Sequence, residues 1–172
     1  MFMLGKLKFF MKSSNDQSVA QMLHEAKKIC AALTTGILSG LKIEHYQYDI
    51  SIAVRELGLE KELVAQLVDD YVAQVIKAVV QFEDYLSTLQ DSQDNHNDLD
   101  YTAFRELAHK NLGVARNLRI KDAEILLYEL MKKDDLDYLL VCLEALKVCA
   151  IKLSPQCAYD TLKLIEVKSS IY

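Results

Sequence analysis

The sequence has few residues that interrupt helices. Its 172 residues include one proline, five glycines and no tryptophan. Proline and glycine are the commonest turn residues, so their scarcity argues against a loop-rich or all-β protein. Leucine, alanine, lysine, glutamate and aspartate dominate the composition instead. We therefore predict an all-α fold.

The sequence also lacks a long apolar run. Its most apolar segment, residues 1–11, is interrupted by Lys6 and Lys8, whereas a membrane-spanning helix needs about 20 apolar residues. No small-residue cleavage site follows, which argues against a signal peptide. We expect this segment to be a short amphipathic anchor, or an arm that packs on the body of the protein or on a second copy.

The charge balance shows no excess of basic residues. The formal net charge is −5 and the isoelectric point is near 5.4, whereas nucleic-acid-binding domains carry a basic surface. With 51% hydrophobic and 26% charged residues, the composition is ordinary for a soluble domain. We expect a cytoplasmic protein that neither binds nucleic acid nor spans a membrane.

The four cysteines have no spacing typical of a disulfide framework or of a metal site. None belongs to a Cys-x-x-Cys pair, and Cys142 and Cys149 lie seven residues apart, on one helical face. Buried free thiols are the expected state. We predict no metal and no cofactor.

Apolar residues recur at helical spacing in several segments that short polar stretches separate. Residues 1–45 are expected to form an N-terminal helical extension, with a helix from Val19 to about Leu38, that packs on the rest of the chain or mediates a homodimer. Residues 91–100 are expected to form a loop. Residues 46–172 are predicted to form an antiparallel four-helix bundle, with helices at Ile50–Glu56, Lys61 to about Leu89, about Thr102 to Leu118, from Asp122, Leu136–Leu153 and from Pro155.

One of these helices has an unusual polar face. At about 100° per residue, one side gathers Phe104, Leu107, Ala108, Ala115 and Leu118, and the other gathers Arg105, His109, Gly113 and Arg116. Glycine inside a helix costs roughly 1 kcal/mol relative to alanine. Gly113 is either a tolerated flaw or a bare patch of backbone that lets another molecule approach His109. Asn111 points into the apolar side, where its amide needs a partner such as a neighbouring helix.

The segment Ala108-His109-Lys110-Asn111-Leu112-Gly113 resembles the phosphorylation helix of histidine-containing phosphotransfer (HPt) domains. The usual pattern of that family is Ala-His, two residues, then Lys-Gly, and residues 48–53, 56–59 and 62–71 resemble its opening helices. The resemblance covers roughly residues 46–167. It departs at two positions, since Leu112 stands where the family has lysine and Asn111 where it has an apolar residue.

The resemblance implies a phosphocarrier in a two-component phosphorelay. His109 would accept a phosphoryl group from an aspartate of one receiver domain and donate it to another, supported by Lys110, Gly113, Arg116 and Arg105. Such a domain is a phosphotransfer intermediate without an ATP site, rather than a self-sufficient enzyme. Its expected partners are response-regulator receiver domains and a hybrid sensor histidine kinase, which would dock around His109 and Gly113, with Leu112 at the edge.

A second interpretation keeps the same scaffold without the chemistry. The departures at Asn111 and Leu112 are typical of a degenerate HPt domain that binds a receiver or kinase, or dimerises, without transferring phosphate. Replacing His109 distinguishes the two interpretations, because only a phosphocarrier needs its imidazole.

Overall fold

The structure is a computed structural model that describes residues 18–171. This part of the chain contains seven α-helices, one 3-10 turn (Ser39–Leu41) and no strand, so the all-α prediction is confirmed. The apolar segment 1–11, which we expected to be an anchor or an arm, lies outside the described residues. The helices are α1 (Val19–Thr35), α2 (Ile50–Leu57), α3 (Lys61–Asp94), α4 (Thr102–Asn117), α5 (Lys121–Lys132), α6 (Leu136–Leu153) and α7 (Pro155–Ile171).

Several helix ends coincide with residues that suit caps. Ser18 forms a capping box with Gln21 at the start of α1. The carboxylate of Asp49 accepts the Ser51 N–H at the start of α2, and that of Asp135 accepts the Tyr138 N–H at the start of α6. Such bonds satisfy N–H groups that have no partner within the helix.

Helix α3 is longer than the sequence predicted. It continues to Asp94, so residues 91–94 of the expected loop are helical. The Gln90 amide donates to the side chains of Gln93 and Asp94 at 3.3 and 3.0 Å. A long helix extends at little further cost, and side-chain pairs one turn apart favour the extension.

Helix α6 occupies the centre of the molecule. Every residue from Leu139 to Ile151 is buried, and the helix packs against α1, α3, α5 and α7. Such burial on all sides explains why its sequence is apolar nearly all round. Helix α4 packs instead against α3 and α5, which leaves one of its faces open to solvent.

The connector between α1 and α2 holds the turn that follows α4. The hydroxyl of Tyr48 donates to the Leu118 carbonyl at 2.8 Å. The hydroxyl of Tyr46 donates to the Arg119 carbonyl at 3.1 Å and accepts the Lys121 N–H at 3.0 Å. These bonds satisfy backbone groups at the end of α4 and the start of α5, so they fix α4 relative to the connector.

In the part of the chain that the structure describes, no helix is both long and apolar enough to cross a membrane.

Candidate functional site

Helix α4 has a buried face and an exposed face, as its pattern predicts. The ring of Phe104 meets the ring of Phe82 on α3 edge-on, with centroids 4.9 Å apart, and anchors α4 to α3. The buried residues are Phe104, Ala108, Asn111, Leu112 and Ala115. The exposed residues include every candidate site residue, namely Arg105, His109, Lys110, Gly113 and Arg116.

Gly113 has no structural reason of its own to be glycine. It lies one turn after His109 on the exposed face of α4. A Cβ added at this position would meet no atom within 4 Å, so the fold requires neither close packing nor an unusual backbone conformation here. The space beside the imidazole is therefore open to a molecule from outside.

Asn111 makes the contact to a neighbouring helix that its position predicts. Its side chain is 1% exposed. The Gln74 amide on α3 donates to Asn111 Oδ1 at 3.1 Å, and Asn111 Nδ2 donates to the Leu107 carbonyl at 2.9 Å. The amide is thus satisfied within the α3–α4 interface, and Asn111 does not belong to the exposed face.

The two arginines of this face have different surroundings. The guanidinium of Arg105 lies over the ring of Tyr101, 4.7 Å from its centroid, which directs it toward the start of α4 and away from His109. Arg116 Nε lies 3.3 Å from a carboxylate oxygen of Glu124 on α5, with the Arg116 side chain 57% exposed. Arg116 lies two turns after His109 on the same face of α4.

Lys110 is exposed and makes no ion pair with any residue that the structure describes. Its position is about 100° around the helix from His109. Lys110 therefore places a positive charge to one side of His109 and not beside Gly113.

Leu112 does not line the exposed face as we expected. It is 3% exposed and belongs to the core. Helix α4 packs against both α3 and α5, and this packing buries the side of α4 on which Leu112 lies. The apolar side chain at this position therefore serves the core of the protein, not the edge of a docking surface.

The site thus consists of an exposed imidazole and an open backbone patch, with Lys110 and Arg116 as exposed cations on the same helix. An imidazole in such a position can act as a nucleophile toward an electrophile that a partner brings. Among the described residues, no group of three or more histidine, cysteine or acidic side chains is arranged to hold a metal ion.

Comparisons of the chain with protein-family models, with curated proteins and with solved structures find no match.

Proposed function

We propose that this protein is a cytoplasmic histidine phosphocarrier of the HPt type, which accepts and donates phosphoryl groups between receiver-domain aspartates through His109. One observation carries the proposal. His109 is exposed in the middle of α4, and the glycine one turn further on has open space where a side chain would lie. Room for a partner to approach the imidazole closely would offset the cost of glycine within the helix.

The packing of the helices supports an HPt-like four-helix bundle made of α3, α4, α5 and α6. Helix α3 packs on α4, α4 on α5, α5 on α6, and α6 returns to α3. Short connections between these helices suit an antiparallel arrangement. In this proposal α1 and α7 are additions that cover α6, and α4 is the helix that the bundle presents to its partner.

The chemistry requires only a nucleophile and room for in-line transfer. The phosphoryl group arrives as an acyl phosphate on a receiver aspartate. A lone pair on a ring nitrogen of His109 attacks phosphorus, so that a P–N bond forms while the P–O bond to the aspartate breaks and the carboxylate leaves. A second receiver reverses the step. The reaction needs no ATP site in this chain, since the phosphoryl group is already activated.

Nearby positive charge would stabilise the transferred oxygens. Arg116 is favoured over Arg105 because it is 57% exposed on the same face as His109 and Gly113, whereas the guanidinium of Arg105 lies over the ring of Tyr101. Lys110 is an exposed second cation beside the imidazole. We therefore assign the main electrostatic support to Arg116 and Lys110.

The test is phosphotransfer from radiolabelled phospho-receivers encoded by the same genome. We expect the full-length protein to acquire acid-labile, alkali-stable label, which is typical of phosphohistidine, and His109→Gln to acquire none. His24→Gln is the matched control, since His24 is also exposed on a helix. Arg116→Gln is expected to label more slowly than Arg105→Gln in the same assay.

All four variants replace exposed residues, so circular dichroism should show the same helix content as in the unchanged protein. Label that persists in His109→Gln would contradict the proposal. If receivers form complexes with the unchanged protein but transfer no label, the protein is instead the degenerate binding module.

A further inference from the structure

A second cluster of reactive groups lies away from α4, where α1 packs against α6. Cys30 on α1 and Cys149 on α6 are separated by 119 residues in sequence, yet their sulfur atoms lie 3.9 Å apart. The ammonium group of Lys152 lies 3.6 Å from the sulfur of Cys30. Two thiols and a cation are therefore in contact at the interface between α1 and α6.

A cavity gives this cluster access to solvent. It has a volume of about 460 Å³. One wall is the connector at residues 44–48, and the other is formed by Asp122, Cys149 and Lys152. Since one water molecule occupies about 30 Å³ of liquid, the cavity has room for a small molecule such as a hydroperoxide beside Cys149 and Lys152. Cys30 does not line the cavity but lies directly behind these two residues, with its sulfur 3.9 Å from that of Cys149 and 3.6 Å from the Lys152 ammonium.

The electrostatics distinguish the two thiols. The hydrogen bond with Cys149 and the ammonium of Lys152 lower the pKa of Cys30, against the opposing effect of burial. The same contact with Cys30, together with burial, raises the pKa of Cys149. The contact with the Lys152 ammonium therefore favours the thiolate form at Cys30 rather than at Cys149. Because the thiolate is the nucleophilic form, Cys30 is the sulfur that reacts first.

We propose that Cys30 and Cys149 form a modification site at which a hydroperoxide oxidises the pair to a reversible disulfide between α1 and α6. The Cys30 thiolate attacks one peroxide oxygen, so an S–O bond forms, the O–O bond breaks and hydroxide or alkoxide leaves. Cys149 then attacks the sulfur of Cys30, an S–S bond forms, and the sulfenic oxygen leaves as hydroxide that takes the Cys149 proton to become water. In total, two thiols are oxidised and one peroxide is reduced.

The geometry requires only a small movement. A disulfide has an S–S distance of about 2.05 Å, so the two sulfur atoms must approach by a little less than 2 Å. Lys152 would stabilise the thiolate before the reaction. This site shares no residue with the exposed face of α4, so its test is independent of phosphotransfer.

The experiment uses the full-length, fully reduced protein and hydrogen peroxide in stoichiometric amount. After alkylation of the remaining thiols, tryptic digestion without reductant places Cys30 in peptide 29–42 and Cys149 in peptide 148–152. We expect these two peptides to be linked, and dithiothreitol to separate them. Peroxide should also raise Tm by about 5 °C or more in a way that dithiothreitol reverses, because the link closes a long loop.

Cys157 provides an internal control, because it is half-buried but burial raises its pKa and no second thiol contacts it in the described chain. Oxidation of Cys157 before Cys30, or alkylation of both Cys30 and Cys149 after peroxide treatment, would overturn the proposal.

Two variants test the order of events. Cys149→Ser is expected to leave a sulfenic acid on Cys30 that dimedone traps. In Lys152→Met, peroxide is expected to oxidise Cys30 and Cys149 several-fold more slowly, as followed by intact mass. An unchanged oxidation rate would refute the role of Lys152.

Discussion

At the scale of single residues, substitutions of Gly113 are expected to affect the stability of the protein and its labelling differently. Its Cβ position is open, so Gly113→Ala should raise the free energy of unfolding by about 0.5–1 kcal/mol. A longer side chain at the same position should obstruct a partner while leaving the helix intact. We expect Gly113→Gln to slow labelling from a phospho-receiver by about tenfold or more. Urea denaturation and the labelling rate measure the two effects.

Ala103→Gln is the matched control for this prediction. Ala103 is exposed on α4 but lies about 120° around the helix from His109. The control should label at the rate of the unchanged protein. Normal labelling of Gly113→Gln would show that Gly113 is a tolerated flaw in the helix and not a contact surface.

The sequence predicted the exposure of the site residues but not their partners. Periodicity places Arg105, His109, Gly113 and Arg116 on one face, and the structure exposes all four. The contacts of Arg105 with Tyr101 and of Arg116 with Glu124 depend on side-chain direction and on where α5 lies. The helical period predicts neither the direction of a side chain nor the position of α5. The different contacts of the two arginines are therefore seen only in the structure.

At the scale of helices, the pair formed by Asn111 and Gln74 links α3 and α4 in register. Asn111 is buried and its two amide atoms are bonded. Asn111→Ala should lower the free energy of unfolding by about 1–3 kcal/mol, because the amide of Gln74 loses its partner. In a double-mutant cycle with Gln74→Ala, we expect a coupling energy of about 0.5–1.5 kcal/mol.

Guanidinium denaturation of the four proteins in the cycle provides the measurement. If the two single losses simply add up in the double variant, the hydrogen bond seen between the helices contributes nothing, and Asn111 is tolerated for another reason. A measurable coupling would show that the departure from an apolar residue at position 111 is compensated by Gln74.

Helix boundaries could be predicted where a capping residue marks the end of the helix, but not where a long helix ends without such a residue. Asp49, Gly58 and Asp135 act through bonds or dihedral angles of their own segment, and aspartate and glycine are residue types that commonly cap helices. The end of α3 at Asp94 is different, because polar residues of this kind suit either a loop or an exposed helix. Extending a helix that is already formed costs little free energy, so the residue composition does not predict where α3 ends.

At the scale of the whole molecule, the central helix contains a charge that the sequence analysis did not anticipate. Lys147 lies on α6 and is 1% exposed. Burial lowers its pKa to about 8, while Glu83, Glu144 and Glu166 oppose the shift. These carboxylates come from α3, α6 and α7, so no local pattern could have brought them together. Their convergence follows from α6 being surrounded on all sides.

The lowered pKa makes Lys147 a source of pH dependence. Between about pH 8 and its unfolded value near 10.4, the unfolded chain binds a proton that the folded protein lacks. The contribution of Lys147 to the free energy of unfolding therefore increases as the pH rises through this window. Below about pH 8 both states are protonated, and the cost of burying the cation is fully present.

Replacing Lys147 tests whether the cation and the carboxylates form one unit. Lys147→Met leaves carboxylates beside an apolar side chain, so at pH 7 we expect a loss of about 3–5 kcal/mol in the free energy of unfolding. Without the cation, protonation of the buried Glu144 carboxylate would remove a buried negative charge that has lost its neighbouring cation. The folded state then binds more protons than the unfolded one, so the deficit should shrink as the pH falls from 7 toward 5.

Urea denaturation at several pH values measures this deficit, and Lys77→Met is the matched control because Lys77 is exposed on α3. The control should stay within about 0.5 kcal/mol of the unchanged protein at every pH. A deficit of Lys147→Met that is equally small, or that does not change between pH 7 and 5, would mean that the lysine and the glutamates are energetically independent. A large, pH-dependent deficit would show that the helices around α6 are held in place by a charge cluster as well as by apolar packing.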